Sequence, residues 1–348
     1  MAKITVLGCG GFGTALAVMC RAAGHAVTLW SPFRQELDTI RAEGENRKLL
    51  PGVPVSPDIG MSDDIGCVLG SELVILAVPS FAVGQTAEKL AALTGSSAGG
   101  VGFDGAVIAN VGKGFDPHSQ RRLSEVIGER LSNPVVALSG PSHAEEVARG
   151  VPTTIVAASA RRQDAEYVQD LLMNGSFRIY VNDDVVGVEL GGALKNVIAL
   201  AAGIADGLRL GDNAKAALMT RGITEIARLG VSLGAKNETF AGLSGIGDLI
   251  VTCTSMHSRN RRAGILIGEG KSAGEAIREV GMTVEGYMAA KSAYELARRC
   301  RVEMPIIQQT YQVLYEDKDP TQALRSLMDR PKRHESEVIW LLSRSQEQ

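Results

Sequence analysis

Residues 4–17 read Ile4-Thr5-Val6-Leu7-Gly8-Cys9-Gly10-Gly11-Phe12-Gly13-Thr14-Ala15-Leu16-Ala17. The first four form a short apolar, β-branched run that stops at glycine, which predicts a buried strand. From Thr14 to Ala23 the spacing is helical. Between them Gly8, Gly10 and Gly13 fit the pattern G-x-G-x-x-G. Placed between strand and helix, such glycines allow a tight turn and let a pyrophosphate approach backbone N–H groups at the helix end, where the dipole favours an anion. A tight turn with no ligand is the plainer explanation, and the strand-turn-helix context weighs against it.

Working outward, Ala26 to Trp30 reads as a second strand. Further apolar runs follow at Leu73 to Val78, Ala106 to Val111, Val135 to Leu138, Thr153 to Ala157 and Phe177 to Val181. Helical patterns at Phe81 to Leu93, Arg121 to Leu131 and Arg162 to Met173 lie between most of them. Continuous apolar strands separated by helices predict a parallel sheet covered on both faces. After Val181 the strand signal ends and helical segments take over: Val185 to Ala205, Asn213 to Leu233, Arg261 to Gly268, Ser272 to Val280, Val284 to Cys300, Pro305 to Tyr315 and Pro320 to Met328. Pro305 and Pro320 sit where a first helical turn tolerates proline. The expectation is an α/β domain over residues 1–184 and an all-α domain over 185–348, with the helix near Val185 running directly from one to the other.

The chain's 348 residues exceed the length at which one core usually stops growing, about 250–300 residues, which also favours two domains. With 45% hydrophobic and 22% charged residues the composition is globular. A net charge of -3 and 4% aromatic residues give no general attraction for nucleic acid or an acidic membrane, so any anion site is local. Cys9, Cys20, Cys67, Cys253 and Cys300 are odd in number and lack a Cys-x-x-Cys pair, which points away from disulfides and zinc and toward a reduced, cytoplasmic setting. No run of about 18 apolar residues predicts a membrane span.

Several residues carry candidate chemistry. Lys195 follows Gly191-Gly192, a costly pair inside a helix that suggests something packs or binds against the backbone. A lysine there would be partly desolvated, with a pKa lowered toward acid-base use, although a snorkelling surface lysine is the commoner case. Asp248 stands between glycines and an apolar stretch, either orienting an ammonium or capping a helix. Ser258-Arg259-Asn260-Arg261-Arg262 offers the fork geometry and amide donors that suit a phosphate, against the alternative of a solvated basic face. Lys113 follows a predicted strand at the edge where ligands of open sheets collect. Ser142-x-x-Glu145 reads as a capping box opening a helix. His143 and His257 have no metal-ligand partner at helical spacing and read as non-catalytic. The stretch Leu29 to Arg34, where an acid would take the ribose hydroxyls, contains none. Arg34 would accept a 2′-phosphate if it is not simply solvated, so NAD and NADP both stay open.

Taken together, Gly8 to Ala17, Leu76 to Ser80, Lys113-Gly114, Ser139 to Val147, Glu189 to Ala199, Leu243 to Cys253, Ser258-Arg259-Asn260 and Val284-Glu285-Gly286 resemble the bacterial-type NAD(P)-dependent glycerol-3-phosphate dehydrogenases over nearly the full length. The resemblance implies a Rossmann-type domain, a helical domain and a cleft between them. It implies hydride transfer between NAD(P)H and dihydroxyacetone phosphate to give glycerol 3-phosphate for phospholipid synthesis. Lys195 is then the proton carrier, with Asp248 beside it. Cofactor contacts are implied at Gly8, Gly10, Gly11, Phe12, Gly13, Phe33, Arg34, Lys113, Ala144, Arg259, Val284 and Glu285. Substrate contacts are implied at Lys113, Gly140, Ser142, Lys195, Asp248, Ser258, Arg259 and Asn260, with no metal. Phe12 replaces a frequent tryptophan, and Gly112 stands where a serine or threonine is usual. The partner is a small molecule, not nucleic acid, and a homodimer is left open. Two other readings remain: a β-hydroxyacid or 6-phosphogluconate type of dehydrogenase, favoured less by Gly245 to Asp248 and Ser258 to Asn260, and a regulator that binds NAD(P) without turnover, which has no use for both Lys195 and Asp248.

Overall fold

The computed structural model describes residues 1–94, 102–332 and 335, so the last residues of the expected 185–348 domain lie outside it. Eight strands form one sheet: β1 Lys3–Leu7, β2 Ala26–Trp30, β3 Gly60–Ser62, β4 Leu73–Leu76, β5 Val107–Asn110, β6 Val135–Ser139, β7 Thr153–Ala158 and β8 Phe177–Asn182, in the order β3-β2-β1-β4-β5-β6-β7-β8. Helices α1 Gly11–Ala22, α2 Arg34–Glu43, α3 Val83–Ala91, α4 Leu123–Gly128, α5 Ala144–Ala148 and α6 Arg162–Leu172 belong to the same half. β1 pairs in parallel with both β2 and β4, placing Leu7 opposite Trp30 and Leu76. Strand order reverses between β1 and β4, and such a switch point opens a crevice at the carboxyl ends of the strands.

The sheet is mostly parallel, with one exception that the strand pattern did not predict: β6 and β7 are antiparallel. Gly140 turns the chain at φ +139°, and α5 then packs on α1 instead of crossing back along the sheet. β7 therefore starts at the end where β6 stops. Apolar side chains fill both faces, Ile4, Val6, Leu16 and Ile75 on the α1 side and Leu7, Val74, Leu90 and Ile108 on the α3 side.

Beyond β8 the elements are helical: α7 Val185–Gly207, α8 Gly211–Ser232, α9 Asp248–Thr254, α10 Arg259–Gly268, α11 Ala273–Val280, α12 Glu285–Cys300, α13 Pro305–Tyr315 and α14 Pro320–Met328. A π-type turn over Leu243–Gly247 leads into α9. Among the described residues α7 is the one helix long and apolar enough to cross a membrane, yet 83% of its apolar window is buried inside the protein, as befits a core helix. Its closest neighbour is α10. A Cβ on Gly203 would lie 2.1 Å from the Arg261 carbonyl oxygen, and one on Gly264 2.1 Å from that of Leu200, so glycines on both helices let the backbones touch. That contact carries the start of α10 to the middle of α7. Glu189, one turn into α7, accepts hydrogen bonds from Arg122 Nη1 (2.8 Å), Ser124 N (2.9 Å) and Ser124 Oγ (2.6 Å), tying the helix to α4 of the sheet half.

Candidate active site

The turn between β1 and α1 is packed on two sides and open on the third. A Cβ on Gly8, whose φ is +118°, would meet the Ala77 carbonyl oxygen at 2.6 Å, and one on Gly13 the Gly8 oxygen at 1.9 Å. At Gly10 it would meet nothing within 4 Å among the described residues. Gly10 precedes α1 and has no side chain to cap the N–H groups of the first turn. An open backbone face at an uncapped helix start fits the pyrophosphate of a dinucleotide. Asn46 braces the turn, its Nδ2 donating to Cys9 O (2.8 Å) and Thr14 Oγ1 (2.9 Å). At the end of β2, Phe33 is exposed and Arg34 opens α2 with its guanidinium facing Asp38 (3.6 Å) and Asp63 (3.4 Å).

Across the cleft a buried charge cluster forms. Lys195 Nζ donates to Asp248 Oδ1 (2.5 Å) and Thr252 Oγ1 (2.7 Å). Lys113, from the loop after β5, donates to the other carboxylate oxygen (2.7 Å) and to the Gly140 carbonyl (2.9 Å). Lys195 and Asp248 are 6% and 1% exposed. Burial pulls the Lys195 ammonium down from its ordinary 10.5 to about 8; Lys113 adds to the depression and Asp248 opposes it. Burial also works against the Asp248 charge, but Lys113 and Lys195 outweigh it and hold the carboxyl below its usual value. An ammonium has three N–H donors. Two of those on Lys195 are held by described residues, leaving one for a bound oxygen.

The glycines before Lys195 have visible causes. A Cβ on Gly191 would lie 2.5 Å from the Ser244 oxygen of the π-type turn, and one on Gly192 2.6 Å from Ser139 Oγ. Asp248 is the first residue of α9, preceded by Gly247, so it belongs to the charge cluster and does not cap the helix. The start of α10 is more structural than its composition suggests. Ser258 Oγ caps α10 by accepting from Arg261 N (3.2 Å), while Asn260 donates to Asn196 Oδ1 (2.9 Å) and accepts from Gly286 N (2.8 Å). Arg259 differs: half-buried, it has no hydrogen-bond acceptor among the described residues and faces the Glu285 and Glu145 carboxylates. Arg261 turns away to Asp206 (2.8 Å). Val284 precedes α12, and Glu285 accepts from Ser80 N (3.2 Å) and Ser80 Oγ (2.6 Å) at the end of β4.

Ser142 is a correction. It does not form the expected capping box; α5 starts at Ala144 after His143, and the Ser142 hydroxyl donates to Gly140 O (3.0 Å). Ala144 Cβ is 3.9 Å from the position a Cβ on Gly11 would take, which joins this loop to the nucleotide turn. His143 has a buried Nε2 with no hydrogen-bond partner among the described residues, its ring packs 5.6 Å from that of His257, and burial, with the Lys195 charge second, lowers its pKa. At Gly112 a Cβ would press on Leu123 Cδ1 at 2.8 Å, so the glycine suits the packing here. Thr252 lies in the Leu243 to Cys253 stretch but carried no assigned role, and nothing in the sequence singled out Asn46; their contacts, to Lys195 and to the glycine turn respectively, join distant chain segments.

Comparison with known proteins agrees with this geometry. Residues 3–165 match the family model for the NAD-dependent glycerol-3-phosphate dehydrogenase N-terminus, and residues 184–325 that for the C-terminus. A glycerol-3-phosphate dehydrogenase (NAD(P)+) of Desulfitobacterium hafniense is 51% identical over 99% of this chain and 96% of its own length. One from Moorella thermoacetica is 54% identical over 96% and 98%. The crystal structure of glycerol-3-phosphate dehydrogenase from Coxiella burnetii superposes with a TM-score of 0.89 at 40% identity, covering 94% of this chain and 99% of that one.

Proposed function

Since the chain belongs to the NAD-dependent glycerol-3-phosphate dehydrogenase family and is an NAD(P)-dependent oxidoreductase of that kind, we propose that Lys195 gives a proton to the C2 oxygen of dihydroxyacetone phosphate on reduction and takes it back when sn-glycerol 3-phosphate is oxidised. The observation that carries this role is the buried ammonium itself, with a pKa of about 8 and one N–H left over. NAD(P)H supplies the hydride to C2 when bound. Asp248 holds Lys195 in place and Lys113 holds Asp248, so the proton carrier is preorganised before substrate arrives.

Arg259 is the clamp for the substrate phosphate, supported by its available guanidinium at the start of α10. Lys113, Gly140, Ser142, Ser258 and Asn260 line the substrate side. The pyrophosphate lies over Gly8, Gly10, Gly11 and Gly13 with Phe12 beside it. Phe33 and Arg34 border the adenosine, and Ala144, Val284 and Glu285 the nicotinamide end. Residues 1–184 are the dinucleotide-binding domain and 185–348 the helical substrate domain. Five free cysteines suit a cytoplasmic enzyme, and its product serves phospholipid synthesis.

The pH dependence of the two directions tests the assignment. Reduction needs Lys195 protonated, so kcat/KM for dihydroxyacetone phosphate stays level below pH about 8 and falls roughly tenfold per unit above it. Oxidation needs the neutral amine, so kcat/KM for glycerol 3-phosphate rises to a plateau above the same pH. Parallel profiles in the two directions would exclude Lys195 as the carrier.

A further inference from the structure

The corner where β2 ends holds a carboxylate that a search of the adjacent sequence misses. In dinucleotide sites of this topology an acid at the end of the second strand accepts the adenosine ribose hydroxyls, whereas an arginine reads a 2′-phosphate. Here that strand is followed by Ser31, which is buried. The Ser31 hydroxyl donates to Glu36 Oε2 (3.0 Å), and the same oxygen accepts from Cys9 Sγ (3.1 Å). Cys9 lies between Gly8 and Gly10, so Glu36 reaches back from the first turn of α2 to the edge of the glycine turn. Burial pushes the Cys9 thiol up to about 12, which keeps it a donor toward the carboxylate.

Arg34, two residues before Glu36, is already faced by acids. Arg34 is 70% exposed at its side chain, with Asp38 at 3.6 Å and Asp63 at 3.4 Å. Arg41, further along α2, pairs with Asp38 at 3.3 Å. We propose that Glu36 reads the adenosine ribose and makes this enzyme select NADH over NADPH. Two ribose hydroxyls donate to the carboxylate, while a 2′-phosphate, with a charge of nearly two, would be set against it. The inference rests on the nucleotide lying over the Gly8 to Gly13 turn.

Calorimetric titration of the full chain with ADP-ribose and with 2′-phospho-ADP-ribose tests it without turnover, and KM for NADH and NADPH provides a second readout. The wild type is expected to bind ADP-ribose on the order of tenfold more tightly, the worth of one charge-assisted hydrogen bond at the low end. Glu36→Gln retains an oxygen acceptor for Ser31 and Cys9 but removes the charge. It is expected to lower the preference by a similar factor, mostly by improving 2′-phospho-ADP-ribose. Equal wild-type affinities, a preference for the phosphorylated ligand, or a ratio unchanged by Glu36→Gln overturns the selection by Glu36 alone. Failure of both ligands to bind wild type overturns the nucleotide placement and the proposal with it. The wild-type ratio requires no folded variant, and Glu36→Ala, checked by thermal unfolding, provides a second one.

Discussion

Two groups of opposite charges lie in this molecule, one at the heart of the cleft and one at the rim. Lys195, Asp248 and Lys113 have side chains 7%, 1% and 18% exposed, whereas Arg34, Asp38 and Asp63 stand at 70%, 52% and 41%. The same kinds of ion pair do different things in the two places. In the interior burial weakens screening, so Lys113 and Asp248 act on the protonation of Lys195 and both lysines hold the Asp248 charge, and removing one strands the others. At the rim water and salt screen the attraction, and a pair there is worth about 0–1 kcal/mol. Chemistry that depends on a perturbed proton therefore belongs to the first group.

The largest effect expected is at the interior end. Lys195→Met removes the proton carrier while keeping an apolar stem of similar length, and kcat should fall roughly 10²–10⁴-fold with cofactor affinity nearly intact. Stopped-flow turnover beside nucleotide titration separates the two quantities. Next comes Asp248→Asn, which leaves two buried ammonium groups without their shared carboxylate. Denaturant unfolding should register a loss of about 3–5 kcal/mol. With the favourable charge gone, the Lys195 pKa drops further, so the falling limb of ketone reduction moves to lower pH.

Arg259→Ala should cost at least about tenfold in kcat/KM with dihydroxyacetone phosphate, because a phosphate loses a charged donor. Unphosphorylated dihydroxyacetone should lose much less. Equal losses on both ketones would mean that Arg259 does not read phosphate. The smallest effect is expected at the rim, where Arg34→Ala should change unfolding stability by no more than about 0.5 kcal/mol. A loss there comparable to that of Asp248→Asn would erase the contrast between the two groups.

Much of the fold is legible in short stretches. Ile4 to Leu7, Leu73 to Leu76 and Val107 to Ala109 are apolar but for Thr5 because both sheet faces are covered, and the helical half announces itself through period and through Pro305 and Pro320 at helix starts. Other elements are not legible. β3 is three residues long, too short for a period, and α2 is polar along most of its length, with only Leu37 and Ile40 buried. The reversal of β7 depends on where α5 packs. Ser142 has the composition of a cap, but α5 starts at Ala144 with His143 before it, which leaves the Ser142 hydroxyl outside the capping position and donating to Gly140 O.

The candidate site divides in the same way. The sequence by itself determined the glycine turn, because the tight approach of backbones at Gly8 and Gly13 excludes any side chain, and it singled out Lys195 through the two glycines before it. Only the tertiary structure decided that Lys195 meets Asp248 across 53 residues and that Lys113 meets the same carboxylate across 135. It alone brought Glu36 back to Cys9, 27 residues earlier in the chain. The physical reason is one of range. Strand and helix periodicity and glycine sterics act between near neighbours and leave a mark on local composition. Desolvation and charge pairing depend on which distant segments exclude water together, and no stretch of sequence records that.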